Sequence, residues 1–319
     1  MPTNSHISNK GYFKRIWPIG GGKGGVGKSL ITANLGIALA NYLKEQNKYV
    51  LLLDADLGSG TLHNYLGIRN RKFTLDDFFK KQKKTLNEII IESPLANLKL
   101  ISGGVEILNL ANPKYQQKAR LLQSIKQMNA EYILLDLAPT SHYNTVDFFS
   151  LSNEGIIVTT PEPASIQSSY GFLKNAIYRK LNRFWKNNTL AMQIFRETIS
   201  GNGQYSVKSV RELIEKIKKI NADLAYRCLE ILNDFRPQLI LNMVESRKDL
   251  SVIDRYQNIV HKYLNINVRY LGYIPFDKNV RKATRSMNPI LLEYPQSKAA
   301  TCIFNIAEKL INISFPLLP

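Results

Sequence analysis

Gly20-Gly21-Gly22-Lys23-Gly24-Gly25-Val26-Gly27-Lys28-Ser29 is the stretch from which the fold can be read. Gly22, Gly27, Lys28 and Ser29 stand at the spacing G-x-x-x-x-G-K-[ST], a pattern with a physical rationale. Glycines let successive backbone N–H groups curl inward around an anion, so the segment from Gly22 through Lys23, Gly24, Gly25 and Val26 to Gly27 predicts a phosphate cradle closed by Lys28, Ser29 and Leu30. In such a loop Lys28 reaches the β- and γ-phosphates of a nucleotide and Ser29 offers its hydroxyl to Mg²⁺. The helix that begins there adds the positive end of its dipole. The flanks agree: Arg15 to Ile19 reads as a short buried strand, and Leu30 to Leu43 carries apolar residues at helical spacing.

Working outward, 319 residues with 44% apolar content suffice for one large α/β domain or two small ones. The start of the chain is polar, and Lys14 and Arg15 lead through a short apolar stretch into the glycine loop, so no secretory signal is expected. No apolar run reaches the length of a membrane span. Cys228 and Cys302 stand alone, without a C-x-x-C pair, which argues against a disulfide framework or a cluster-binding motif within one chain. These features predict a cytoplasmic protein. The net charge of +18 suits a polyanionic partner, nonspecific DNA or an anionic membrane surface, but Lys, Asn and Ile are abundant throughout and a compositional bias explains the charge equally well.

Hydrophobic runs alternate with helical patterns as a doubly wound, mostly parallel sheet flanked by helices requires. Tyr49 to Leu53, Leu98 to Ile101, Tyr132 to Leu135, Gly155 to Thr159, Gln238 to Leu241 and Val268 to Tyr273 read as buried parallel strands. Asp54 and Asp56 follow the first of these, Asp136 the third and Asn242 the fifth. Polar residues at carboxyl ends of strands lie where open α/β sheets bind ligands, although a cap or a turn accounts for each one singly.

The motifs together resemble the MinD/ParA family of P-loop ATPases. Lys23 to Ser29 is similar to the family's deviant Walker A motif, Leu51-Leu52-Leu53-Asp54-Ala55-Asp56-Leu57-Gly58 to its A′ motif, and Leu134-Leu135-Asp136-Leu137-Ala138-Pro139 to its switch II. Within the family, Asp54 to Gly67 is most similar to the FlhG/FleN and MinD-like branch. The resemblance covers nearly the whole chain and implies an ATP- and Mg²⁺-dependent homodimer with two ATP molecules between facing subunits. It assigns Lys23 to the phosphates of the partner's ATP, Asp56 to the attacking water, and Asp54 and Asp136, with Ser29, to the metal. Asn242, Pro275 and Asp277 are similar to adenine-side contacts, with a cap and a proline turn as the plainer readings.

A flexible N-terminus is expected over 1–14, a single ATPase domain over 15–319, a helical insertion at about 178–235 and, from its amphipathic pattern, a C-terminal helix at about 297–313. The resemblance has two departures. The glycine expected shortly after the switch II aspartate is replaced by Ala138-Pro139-Thr140, in which proline stiffens the loop and removes an N–H, so slow hydrolysis is expected. The insertion is longer than usual, surrounds Ser200-Gly201-Asn202-Gly203, and is made basic by Lys208, Arg211, Lys216, Lys218 and Lys219. That basic face is either a partner or nucleic-acid surface or a solvated helix face. The C-terminal helix, poor in basic residues, is expected to dock on the sheet rather than on a membrane.

The implied activity is an ATP-hydrolysing switch that controls the position or number of a cellular structure such as the flagellum, working with a regulatory or cargo protein. A DNA-associated partition ATPase and an ATP-binding adaptor with little turnover are the alternatives. Peripheral association with the membrane or nucleoid is compatible with each.

Overall fold

A computed structural model describes residues 15–58, 60–104, 115–186, 188–200 and 209–312; the expectations for 1–14, Gly201 to Gly203, Lys208 and residue 313 lie outside them. In chain order the elements are β1 (Arg15–Gly20), α1 (Lys28–Tyr42), β2 (Val50–Ala55), α2 (Leu75–Phe79), β3 (Ile91–Glu92), β4 (Leu98–Ile101), α3 (Tyr115–Gln127), β5 (Tyr132–Leu137), α4 (Tyr143–Phe149) and β6 (Ile156–Thr159). The chain continues through α5 (Pro163–Trp185), α6 (Thr189–Ser200), α7 (Val210–Ile220), α8 (Ala222–Asp234), β7 (Gln238–Val244), α9 (Val252–Leu264), β8 (Arg269–Pro275), α10 (Lys278–Arg285), α11 (Ile290–Glu293) and α12 (Lys298–Asn312).

One eight-stranded sheet runs in the order β3-β4-β2-β5-β1-β6-β7-β8. All neighbours are parallel except β3, which pairs antiparallel with β4 at the edge. Every expected strand is present. β3 adds one that two residues of sequence are too few to reveal.

The strands lack polar alternation because both sheet faces are covered. Leu51, Leu53, Ile133, Leu135 and Leu239 enter the core beneath α3, α4, α5 and the helices that follow. Val50, Leu52, Leu134, Val158 and Ile240 enter the opposite core with α1 and α12. Helix α1 is buried on nearly all sides, which explains why its apolar residues do not form one narrow stripe.

Tyr178, where the longer connection was expected to begin, lies inside the continuous helix α5. Three further helices, α6 to α8, then lead to β7. Trp185 Nε1 donates to Cys228 Sγ at 3.1 Å and ties α5 to α8, while burial pushes the Cys228 thiol up to about 11 and keeps it protonated. Helix α12 buries Ala299, Ala300, Ile303, Ile306, Ala307 and Leu310 in the core it shares with α1, so the described part of the C-terminus docks as expected.

Candidate nucleotide site

The glycine loop joins the end of β1 to the start of α1 at the carboxyl edge of the sheet. Gly22 has φ +71° and Gly27 φ +92°, conformations that disfavour a side chain. A Cβ at Gly22 would stand 2.4 Å from the Ser168 carbonyl oxygen, and one at Gly27 2.4 Å from Asn242 Nδ2. Both positions therefore require glycine twice over, for conformation and for space. Buried Asn242, from β7, donates its Nδ2 to the Val26 carbonyl at 2.8 Å and braces the loop from below. Lys28 is buried and its Nζ donates to the Lys23 carbonyl at 3.0 Å, across the mouth of the cradle. Lys23, Gly24 and Gly25 are exposed at the tip.

The acidic side of the site comes from the two central strands. Asp54 on β2 and Asp136 on β5 are register partners, and both are buried. Asp54 accepts from the backbone N–H groups of Asp56 and Leu62, each at 3.1 Å, so one carboxylate folds the loop after β2. Asp136 Oδ1 accepts from Thr32 Oγ1 at 3.4 Å, and the carboxylate also takes a hydrogen bond from Ser29.

Burial, followed by the neighbouring Asp136 charge, raises the Asp54 carboxyl well above its ordinary range. Burial likewise raises Asp136 to about 6, against the opposing pull of Ser29 and Lys28. The Lys28 ammonium is lowered by burial, partly offset by Asp136 and Asp56. Two buried carboxyls beside one serine hydroxyl form an oxygen donor set that fits Mg²⁺, and the inward-curled glycine backbone with Lys28 fits polyphosphate.

Asp56 is half-buried and lines a cavity of about 480 Å³ together with Gly58, Ala138, Thr140, Tyr143 and Asn144. The switch II segment forms the other wall. Pro139 is exposed at the loop tip, with its Cβ 3.7 Å from the position a Cβ on Gly24 would take. Thr140 Oγ1 shares a hydrogen bond with Thr145 Oγ1 of α4 at 3.0 Å.

Asp277 is used by the backbone: its oxygens accept from Asn279 N at 2.8 Å, capping α10, and from Ala299 N at 3.3 Å. Pro275 lines a separate cavity of about 410 Å³ with Val244, Arg247 and Lys298. Thus the loop, Asp54, Asp56, Asp136 and Asn242 gather together, whereas Pro275 and Asp277 follow β8, on the same carboxyl edge but at the lateral end of the sheet order, beside β7. Thr32 escaped the sequence reading, although its place one turn after Lys28 on α1 was a usable signal.

Residues 18–290 match the CobQ/CobB/MinD/ParA nucleotide binding domain. The chain belongs to this family. Among proteins similar to this member, the antiactivator FleN of Pseudomonas aeruginosa is 25% identical over 307 residues, covering 96% of this chain and 89% of FleN. The flagellum site-determining protein YlxH of Helicobacter pylori is 31% identical over 237 residues, covering 65% of this chain and 76% of YlxH. Among solved structures, the septum site-determining protein MinD of Pyrococcus horikoshii, complexed with Mg-ADP, superposes with a TM-score of 0.63 at 21% identity, covering 94% of this chain and 96% of that one. The MinD likeness concerns the fold.

Proposed function

We propose that this protein is an ATP-driven dimeric switch of the FlhG/MinD type, built on one ATPase domain over 15–319, that controls the placement or number of a cellular structure such as the flagellum. The observation that carries this reading is the convergence of Lys28, Ser29, Asp54 and Asp136 beneath a loop whose tip exposes a further lysine, Lys23. The names of FleN and YlxH support the cellular role.

In this mechanism the backbone from Gly22 to Leu30 binds the phosphates and Lys28 leaves the Lys23 carbonyl for the β/γ oxygens. Lys23 crosses to the partner's ATP and stabilises charge as it develops. Asp56 orients the water whose oxygen attacks the γ-phosphorus. The bond from that phosphorus to the β–γ bridging oxygen breaks, and ADP and phosphate leave. Ser29, Asp54 and Asp136 would hold Mg²⁺, which would supply charge neutralisation at the phosphates. Asn242 keeps the cradle in shape. Opening of the dimer after hydrolysis resets the switch, and a regulatory or cargo protein sets the timing.

Calorimetry on Lys28→Ala tests the loop. Loss of a charge-assisted phosphate contact costs about 1.5–3 kcal/mol, so ATP affinity should fall roughly 10- to 150-fold. Unchanged affinity refutes the assignment.

One observation favours a second reading, association with DNA. Lys278, Arg281, Lys282 and Arg285 on α10 follow i, i+3, i+4, i+7 spacing and are all exposed, a basic stripe suited to phosphates. ATP-dependent, salt-sensitive binding of a random duplex would support it, and salt-insensitive or absent binding would remove it.

A further inference from the structure

The helix that follows switch II carries a charge arrangement that nucleotide chemistry does not use. Asp147 of α4 is fully buried and takes hydrogen bonds from three cations. Arg179 of α5 donates Nε to Oδ1 at 2.7 Å and Nη2 to Oδ2 at 3.1 Å. Arg183, one turn on, donates Nη2 to Oδ1 at 2.6 Å, and Lys118 of α3 donates to Oδ2 and, at 2.9 Å, to Asn144 Oδ1. Three positive charges surround one negative charge, and the Arg183 side chain is 46% exposed.

The rim is aromatic. Tyr143, 73% exposed, lies with its ring 5.0 Å from the Arg179 guanidinium, and Tyr115, 77% exposed, lies close enough to interact with the same group. Half-buried Lys180 lies close to Arg183 and to exposed Lys126. The Lys180 ammonium is lowered to about 8 by burial first and then by the like charges of Arg183 and Lys126, with Asp234 opposing. Excess guanidinium charge between exposed tyrosines is the composition of a protein-binding hot spot, because these side chains give large contact area and bidentate hydrogen bonds to carboxylates. A nucleic-acid backbone would ask instead for an extended stripe, as on α10.

From this cluster we infer that Arg179 and Arg183, backed by the buried Lys118 and framed by Tyr115 and Tyr143, dock an acidic segment of a regulatory partner protein and pass its binding to switch II through α4. The proposal rests on the switch reading above and supplies the partner's chemistry. The coupling path is short. Helix α4 begins beyond Thr140, which is hydrogen-bonded to Thr145, and Tyr143 and Asn144 line the same cavity as Asp56. An incoming carboxylate competes with Asp147 for Arg179 and Arg183 and so loosens the hold of α3 and α5 on α4.

The test uses the full chain with ATP and Mg²⁺ and a fluorescent peptide of eight consecutive glutamates, followed by anisotropy. A single-stranded oligonucleotide and phosphatidylglycerol vesicles serve as competing probes. The peptide should bind the parent, bind Arg183→Glu roughly tenfold more weakly, bind Tyr143→Ala more weakly too, and leave Lys44→Glu, a charge reversal beyond α1, unaffected. Binding should weaken at about 0.5 M salt, and the peptide should change phosphate release by the parent but not by Arg183→Glu.

Equal binding by parent and Arg183→Glu, equal loss in Lys44→Glu, or no peptide binding overturns the proposal. So does Arg183-dependent capture of the oligonucleotide or the vesicles without the peptide. Calorimetry of ATP on the same samples separates the two claims. A parent that binds ATP but no peptide loses this surface alone, whereas one that binds peptide through Arg183 but no ATP keeps the surface and loses the switch.

Discussion

Asp54 on β2 and Asp136 on β5 are register partners on adjacent parallel strands, so two buried carboxyls share one small volume at the sheet edge. Burial disfavours ionisation of both, with the Asp136 charge adding to the effect at Asp54 and the Asp56 charge at Asp136. A divalent cation held between them would relieve the penalty that folding imposes.

A pH dependence follows. Asp136 is raised to about 6, against about 3.9 for an unfolded carboxyl, so between these values the folded chain holds more protons than the unfolded one. Stability from this group is present below the unfolded value and declines as pH rises through about 6. Without nucleotide, the melting temperature of the parent relative to Asp136→Asn should fall between pH 4 and 7. Mg²⁺ at pH 7 should raise the parent's melting temperature more than the variant's. Parallel pH curves for the two proteins would contradict the buried-pair account.

The Asn242 brace gives a second expectation. In Asn242→Ala the Val26 carbonyl loses its 2.8 Å donor in a buried setting, which costs about 1–3 kcal/mol. Both melting temperature and nucleotide affinity should fall. An affinity change without a stability change would point to direct contact with the base instead of support of the loop. Thermal melts and titrations on one preparation separate the two.

Lys23 and Asp56 should part company in solution. Removing Lys23 takes away the exposed charge at the loop tip, so Lys23→Ala should stay monomeric in ATP by light scattering. Asp56→Ala should bind ATP, stop turnover and accumulate the dimer. Monomers for both variants, or a parent dimer indifferent to nucleotide, would count against the facing-subunit arrangement.

How much of this was legible beforehand depends on the range of the signal. The glycine loop with its flanking strand and helix is a local pattern and lies between β1 and α1 as read, while Asp54 and Asp136, read as following their strands, sit inside β2 and β5 near the carboxyl ends. The double burial of the sheet was legible too, because Leu51 to Leu53 and Ile133 to Leu135 have no polar alternation. What remained hidden is long-range. Asn242 stands 216 residues from the Val26 carbonyl it braces, and sequence offers a strand end but no partner. Asp147, an acid between Val146 and Phe148, signals a buried charge, yet nothing local names Lys118, Arg179 and Arg183 as its partners. Asp277 and Thr140 show the complementary limit. Asp277 occupies a family-like position and Thr140 stands in the segment that lacks the expected glycine, but only the fold reveals that Asp277 caps α10 and that Thr140 is tied to Thr145.

That last contact sharpens the expectation for switch II. Two restraints hold the segment, the Pro139 ring, which fixes φ and removes an N–H, and the Thr140 to Thr145 hydrogen bond into α4. Thr140→Gly removes the hydrogen bond and frees the backbone, whereas Thr140→Val removes the hydrogen bond but keeps a β-branched side chain. If backbone stiffness limits hydrolysis, Thr140→Gly alone should raise phosphate release or sharpen the difference in dimerisation between ATP and ADP. If the tether to α4 is the restraint, both variants should do so equally, because the bond is lost in each. A parent that already hydrolyses briskly, with neither substitution changing rate or sedimentation, would show that the missing glycine has no kinetic consequence and that the slow step lies elsewhere in the cycle.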